Sequence, residues 1–125
     1  MMLAFSVTAF SQQMYDRSGS FIGRYDSGKV YDRSGNYEGR VDSGRFYDRS
    51  GSYIGYVSDR RFYDRSGSYI GYSRDGMFYD RSGTYIGRIS GDSVYDRSGS
   101  YIGRANGVPY AIVAAIYFYG YFPLR

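Results

Sequence analysis

The sequence predicts an all-β fold, an antiparallel meander of six tandem β-hairpins. One 16-residue unit, Tyr-Asp-Arg-Ser-Gly-Ser-Tyr-Ile-Gly-Arg plus six variable residues, recurs without insertion at Tyr15, Tyr31, Tyr47, Tyr63, Tyr79 and Tyr95. Each unit holds two turn-forming segments, and the 125-residue chain contains 18 Tyr and 18 Gly, which suits short strands and tight turns. A fixed period makes each copy a unit that is stabilised by stacking on its neighbours.

The first element is an apolar leader, MMLAFSVTAFSQQ, over residues 1–13. Its apolar stretch and the small residues Ala9 and Ser11 before Gln12 are typical of a secretory signal. We therefore expect export to the periplasm, the cell surface or the extracellular space. The alternative is an apolar strand or helix that covers one end of the repeat array. The domain prediction is a leader at 1–13, hairpin repeats at 14–110 and a C-terminal segment at 111–125.

The first turn of each copy is Asp-Arg-Ser-Gly, for example Asp48 to Gly51. Aspartate accepts hydrogen bonds from amides two residues on, and glycine takes the positive φ that ends a type I turn with a bulge. The second turn varies between copies, although Asp, Ser, Gly and Asn recur there. Two turns in 16 residues leave two strands of about four or five residues, which is within the usual range.

The strand register follows from the first turn. We number the positions of each copy from one to sixteen, starting at its first tyrosine. A three-residue loop places position one opposite position seven, so that Tyr47 faces Tyr53. Because side chains alternate along a strand, these tyrosines are predicted to share a face with the glycine at position nine, such as Gly55, and to cover it. Positions eight and sixteen, with the Arg or Tyr of position ten, are predicted on the other face.

Twelve short strands in sequence predict an extended, spiralling or single-layer sheet, because normal strand twist coils a wide sheet. The alternative is a β-solenoid with one copy per coil. In a solenoid the turn aspartates would form a like-charge column, and a three-residue turn reverses the chain too tightly for a wide coil. Turn chemistry therefore favours the meander.

The C-terminal segment after Asn106-Gly107 is uncharged from Val108 to Phe122 and rich in Tyr, Phe, Ile and Ala. At about fifteen residues it is too short for a transmembrane helix, which needs about twenty. Pro109 and the alanines favour a helix, whereas the β-branched residues permit a strand. We expect this segment to cap the sheet or to mediate assembly. The candidate assembly residues are Tyr110, Ile112, Ile116, Tyr117, Phe118, Tyr119, Tyr121 and Phe122.

The composition argues against catalysis. The chain has no His and no Cys, which removes the commonest general base, thiolate nucleophiles and the favoured zinc ligands. The turn serines and aspartates are explained by turn formation. We therefore expect no enzymatic activity, no catalytic residues, no metal site and no cofactor. Sixteen basic residues against twelve acidic ones give a net charge of +4, but each copy carries Asp beside Arg, which argues against nucleic acid as a partner.

The remaining candidate site is a surface. A regular array of Tyr and Arg can stack sugars, although cross-strand packing alone also accounts for the tyrosines. The candidate aromatic face consists of Tyr31, Tyr37, Tyr47, Tyr53, Tyr63, Tyr69, Tyr79, Tyr85, Tyr95 and Tyr101.

The Tyr-Asp-x-x-Gly unit over residues 15–110 resembles the YD-type hairpin repeats of exported bacterial proteins and is similar to MORN-type and WG-type repeats. The leader, with its Phe-Ser-Gln-Gln end, is similar to those of exported Bacteroidota proteins. The resemblance implies an antiparallel sheet of hairpins on an exported protein. YD-type copies are usually longer, and MORN copies place Tyr and Gly differently.

The sequence thus predicts an exported structural repeat protein, a scaffold or self-assembling subunit of the cell envelope or extracellular matrix that can form filaments. Its expected partners are further copies of itself or other envelope proteins. The alternative function is a module that binds glycan or peptidoglycan on a Tyr and Arg face. Nucleic-acid binding ranks third.

Overall fold

A computed structural model describes residues 12–124. It contains twelve strands in sequence and one helix near the C-terminus. The strands are β1 Gln12–Asp16, β2 Phe21–Asp26, β3 Lys29–Asp32, β4 Tyr37–Asp42, β5 Arg45–Asp48, β6 Tyr53–Ser58, β7 Arg61–Asp64, β8 Tyr69–Arg74, β9 Met77–Asp80, β10 Tyr85–Ser90, β11 Ser93–Asp96 and β12 Tyr101–Ala105, and the helix is α1 Tyr110–Tyr117. The predicted leader lies outside the described residues, apart from Gln12 and Gln13, which belong to β1.

The first turn of each hairpin has the predicted chemistry. In the third copy, a carboxylate oxygen of Asp48 accepts hydrogen bonds from the amides of Ser50 at 2.9 Å and Ser52 at 3.0 Å. The Gly51 amide donates to the Asp48 carbonyl at 2.9 Å, and Gly51 has a φ of +86°. The same Asp-Arg-Ser-Gly turn closes all six copies, which explains why this tetrad is the most regular part of the repeat.

The second turns lie at the opposite end of the strands. The pairing Asp42↔Arg45 leaves a two-residue loop in which Ser43 and Gly44 have φ values of +52° and +83°. Two consecutive positive φ values identify a type I′ turn, whose twist matches that of the flanking strands. This geometry is tighter than the loose second turn that the variable residues suggest.

The twelve strands form an antiparallel meander, as predicted, but the sheet closes into a barrel. The first and last strands pair through Met14↔Ala105, Tyr15↔Arg104 and Asp16↔Gly103. The expectations of an extended, spiralling or single-layer sheet and of a solenoid are therefore wrong. A β-bulge in each first hairpin adds curvature and twist, and six such bends bring the sheet edges together.

These bulges also decide which side chains point inward. Tyr47 lies opposite Tyr53 as predicted, but Phe46 lies opposite Gly55, so one extra residue separates the two pairings. The shift moves Gly55 from the tyrosine face to the inner face with Phe46. The prediction that the glycines at position nine share the tyrosine face is wrong for this reason.

The inner face is lined by the residue that directly precedes the first tyrosine of each copy, and these side chains are at most 1% exposed. Helix α1 fills the lumen, and its residues Ile112 to Tyr117 are all buried, which means that the barrel surrounds every face of the helix. These wall residues are Met14, Val30, Phe46, Phe62, Phe78 and Val94. Together with α1 they form the hydrophobic core.

From the last residue of α1 onward, the chain circles the inside of the barrel and covers the inward glycines one by one. A Cβ built on Gly55 would lie 2.6 Å from Tyr121, and one on Gly39 would lie 2.6 Å from Phe122. These glycines therefore provide space for the tail, which we define as residues 117–124. In chain order of the tail, the covered pairs are Tyr117 on Gly103, Phe118 on Gly87, Tyr119 on Gly71, Tyr121 on Gly55, Phe122 on Gly39 and Leu124 on Gly23.

The tail is held by rings and by hydrogen bonds. Tyr121 packs on Phe46 with ring centroids 4.5 Å apart, and its hydroxyl donates to the carbonyl of Tyr63 at 2.8 Å. Tyr119 repeats this arrangement with Phe62 and the carbonyl of Tyr79. Burial raises the pKa of Tyr119 and of Tyr121, so their hydroxyls remain protonated donors.

No helix among the described residues is long and apolar enough to cross a bilayer.

Candidate functional site

The outer face of the barrel carries a regular arrangement of planar side chains. In each copy the ring at position one contacts two side chains. On one side it contacts the ring at position seven of the same copy. On the other side it contacts the position-ten side chain of the preceding copy around the barrel, which for the first copy is the sixth. We call each such group a triad and the six together the outer belt. The triads are Arg24–Tyr31–Tyr37, Arg40–Tyr47–Tyr53, Tyr56–Tyr63–Tyr69, Tyr72–Tyr79–Tyr85, Arg88–Tyr95–Tyr101 and Arg104–Tyr15–Phe21.

Each triad has an edge-to-face ring pair. Tyr47 and Tyr53 have centroids 6.1 Å apart and ring planes at 65°. This is a favoured geometry for aromatic pairs and is worth about 0.5–1.5 kcal/mol beyond area burial. The equivalent pairs in the other copies have nearly the same distances and angles, so the belt repeats its geometry as well as its sequence.

The third member of a triad is a cation in four copies. The guanidinium carbon of Arg40 lies 4.0 Å from the ring centre of Tyr47, and Arg24 has the same distance to Tyr31. These are cation–π contacts, in which the electron-rich ring face attracts the positive charge. Arg40 also lies 3.6 Å from Asp42, which holds the side chain along the strand.

In two copies the arginine at position ten is replaced by tyrosine. Tyr56 stacks on Tyr63 with centroids 4.5 Å apart and planes at 14°, and Tyr72 stacks on Tyr79 at 4.7 Å and 14°. Part of the belt is therefore purely aromatic. Partial burial raises the pKa of Tyr53 and of Tyr69, so these hydroxyls stay protonated further into the alkaline range.

The turn carboxylates are engaged in structure. In the second copy, the amide of Asn36 donates to Asp32 at 2.9 Å, and this hydrogen bond is the main cause of a lowered pKa for that carboxyl. Each turn aspartate holds two backbone amides in the same way. Across residues 12–124 the structure brings no three acidic side chains together as a metal site.

Comparison with protein-family models identifies the fold. A model described as "5-fold beta-flower protein" matches residues 11–122. The chain belongs to this beta-flower family. Comparison with curated proteins and with solved structures gave no match.

The beta-flower assignment refines the sequence-based resemblance. Tandem β-hairpin repeats are confirmed, whereas membership of the YD-type, MORN-type or WG-type families is not. The family description is five-fold, and this barrel has six hairpins joined by the pairing of β1 with β12. This beta-flower protein therefore has one hairpin more than the symmetry in the family description.

All ten tyrosines of the predicted aromatic face lie on the outer belt. The structure brings them together in pairs within each copy, with rings that are half-buried or, for Tyr101, exposed. The position-ten side chains, predicted on the opposite face with positions eight and sixteen, lie on the belt instead, so that prediction is wrong. The closing triad of Arg104, Tyr15 and Phe21 lies outside the predicted set. One signal could have placed the position-ten side chains on the belt: position ten is always Arg or Tyr, two residues whose planar groups stack on a ring.

The candidate assembly residues lie elsewhere. Tyr110 is 43% exposed at the barrel end, and its hydroxyl donates to the Gly91 carbonyl at 3.4 Å. The others, Ile112, Ile116, Tyr117, Phe118, Tyr119, Tyr121 and Phe122, are buried or partly buried inside the barrel. Their apolar surface is covered within the same chain and is not presented to a neighbouring molecule.

Proposed function

We propose that this beta-flower protein is a non-enzymatic, exported module that binds glycan chains on its outer belt. The observation that carries the proposal is the six-fold repetition of the triads on the outside of a barrel whose inside is filled by α1 and the tail. The inner face is committed to the core. The belt is left as the surface with a distinctive chemistry.

The belt combines the groups that sugars require. Tyrosine rings offer apolar faces on which the C–H groups of a pyranose can stack, while phenol and guanidinium groups donate hydrogen bonds to its hydroxyls. Tyrosine has few rotatable bonds, and each belt ring is already fixed by its triad partners. Little side-chain entropy is therefore lost when a ligand binds.

Repetition suits a polymeric ligand. One hairpin occupies two strand spacings, about 10 Å along the sheet. That distance is comparable to a two-sugar step of an extended polysaccharide, so adjacent triads can engage successive units. Weak contacts at several triads then combine into useful avidity.

Self-assembly, the first expectation from the sequence, has less support. The described strands are all paired on both sides, so no free edge is available for another chain. The apolar tail is covered internally. Nucleic acid also has little support, because the turn arginines have aspartates beside them and much of the positive field cancels.

The test measures binding of a panel of soluble polysaccharides, with tyrosine fluorescence and calorimetry as the readouts. The informative variant replaces Arg24, Arg40 and Arg88 with alanine. Its matched control replaces Arg17, Arg33 and Arg81, which removes the same charge from turns that make no ring contact among the described residues.

We expect the belt variant to lose at least tenfold in affinity while the control keeps it. Equal losses would attribute binding to net charge alone and would overturn the proposal. So would a protein that binds no glycan, or one whose light scattering shows ordered multimers as its main state.

A further inference from the structure

A cleft opens at the second-turn end of the belt. The cleft lies beside β7 and β8 and has a volume of about 330 Å³, within the range of small-ligand pockets. Arg60, Arg61 and Arg74 stand around it, with the rings of Tyr69 and Tyr72 and the carboxylate of Asp59. This concentration of arginine occurs where the copies depart from their common pattern.

In copies three and four, the position-ten arginine is missing from the belt, and arginines line the cleft instead. Copies three and four have Tyr56 and Tyr72 at position ten, where the other four copies have arginine. Their arginines are instead at the second turns. The rings of Tyr56 and Tyr72 stack on their neighbours, so the belt remains continuous. The guanidinium groups of Arg60, Arg61 and Arg74 lie at its edge, around the cleft.

Arg60 occupies a backbone position that disfavours it. Its φ is +65°, and the equivalent residues Gly28, Gly44 and Gly76 are glycines with φ of +81° to +87°. The Arg60 carbonyl accepts from the Ser73 amide at 2.9 Å, as the glycine carbonyls do for their partners. The turn is therefore unchanged, and the strained left-handed conformation of Arg60 adds no hydrogen bond that glycine does not already make. Such strain points to a role for the side chain.

The cleft carries unbalanced positive charge. Arg61 lies 3.4 Å from Asp59. Within residues 12–124, Arg60 and Arg74 form no ion pair. Three guanidinium groups and the Asp59 carboxylate leave a net charge of +2 in the lining. Asp75, which follows Arg74 and lines a neighbouring pocket with Arg60, lowers the net charge of the surroundings to +1. An anionic ligand group is the natural partner for two free guanidinium groups.

The cleft also has an aromatic wall. One face of Tyr72 is covered by Tyr79, and on its other side Tyr72 pairs with Arg61 across the β7–β8 ladder, where the cleft lies. An apolar ring face beside planar cations suits a ring-shaped ligand that bears a carboxylate.

We infer that this cleft binds an acidic sugar unit, with the carboxylate of a uronic acid held by Arg60 and Arg74 and its pyranose ring against Tyr72. The inference rests on the proposed glycan-binding function and names the ligand class. Nucleic acid fits less well, because the cleft accommodates one anionic group and the neighbouring turns offer no continuous cationic track for a phosphate backbone.

The experiment compares a galacturonic acid tetrasaccharide with its methyl ester, which lacks the charge, by calorimetry at constant salt. The test variant combines Arg60→Gly with Arg74→Ser. Arg60→Gly restores the residue of the other copies, so folding is expected to be retained. The control combines Arg33→Ser with Arg81→Ser, which removes the same charge from first turns at the other barrel end.

We expect the native protein to prefer the acid over the ester by at least tenfold, the test variant to lose this preference, and the control to keep it. Equal affinity for acid and ester, or a test variant that still discriminates, would overturn the inference while leaving glycan binding in place. Failure of both ligands and of every other glycan would overturn both proposals. Tighter binding of a sulfated sugar or a single-stranded oligonucleotide, with the same arginine dependence, would replace the uronic acid as ligand.

Discussion

The inner and outer faces of the same twelve strands differ in what they pack against. The inner face presents alternating bulky residues and bare glycines, such as Phe46 and Gly55, to a tail that is not itself repeated. The outer face presents a triad of the same ring-pair geometry six times and needs no partner from outside the repeat. One face depends on a unique segment, and the other is self-contained.

This difference separates stability from recognition. Removing a buried ring leaves a cavity that the surrounding barrel fills only in part, so interior changes are expected to have large effects. Belt side chains are half-exposed, and their loss exposes little additional apolar surface. The barrel interior therefore sets the free energy of unfolding, while the belt is free to vary, as copies three and four show.

The largest effect is expected from deletion of residues 118–125. The deletion removes five of the six side chains that cover inward glycines. Full burial of such a side chain is worth about 1.5–3 kcal/mol; because Phe122 is fully buried and the other four are half-buried, the loss is about 5–9 kcal/mol, comparable to the whole stability of a domain. We expect no cooperative thermal transition by circular dichroism. A control with Tyr31, Tyr47 and Tyr95 changed to serine should keep one, and equal collapse of both would erase the contrast between the faces.

The next effect concerns two glycines four residues apart. In Gly55→Ala the new methyl group would overlap the Tyr63 carbonyl and lie 2.6 Å from Tyr121, which predicts a loss of about 2–4 kcal/mol. Gly51→Ala places its methyl in open space and has only the strain of a positive φ, about 1 kcal/mol. Urea unfolding of the two variants measures the difference. A milder Gly55→Ala would show that the tail moves freely inside the barrel.

Alkaline pH should act through the interior. The pKa of Tyr121 is raised by burial, so its neutral form is favoured in the folded state. The associated stability is intact below the unfolded pKa of about 10 and is lost as pH rises above it. In Tyr121→Phe, stability at neutral pH should fall by about 1 kcal/mol with the lost hydrogen bond, and the decline above pH 10 should be shallower. Denaturant titrations at several pH values test this, and an unchanged slope would contradict it.

The smallest effect is expected on the belt. Arg40→Gln should lower stability by about 0.5 kcal/mol through loss of the contact with Tyr47, because the arginine is partly exposed. Arg33→Gln, in a first turn, should have no measurable effect. A double-mutant cycle of Arg40 and Tyr47 isolates the pair. A coupling energy above about 2 kcal/mol would indicate that the belt also carries the fold.

Local features of this fold follow directly from the sequence. Asp48 and Gly51 define a turn through their own chemistry, and the pairing of Tyr47 with Tyr53 follows from the length of that turn. These predictions need no information beyond a single copy. For the same reason they hold in every copy.

Features that depend on the bulge or on distant residues did not follow. Alternation places Gly55 beside the tyrosines, but one extra residue at the bulge turns it inward, and a strict period of two does not reveal such a shift. The position-ten side chains, including Arg40, are on the outer face for the same reason. Barrel closure between β1 and β12 and the contact of Tyr121 with Gly55 join residues that share no local pattern.

The order of contacts in the tail fixes the number of copies. Six side chains between Tyr117 and Leu124 meet six glycines, and they do so in reverse order, from the last hairpin to the first. A gene duplication that added a seventh copy would create an inward glycine that no tail side chain covers. Loss of a copy would leave one tail side chain without a glycine to pack on. Unequal recombination, which readily changes copy number in tandem repeats, is thus constrained by eight residues that lie beyond the repeats themselves.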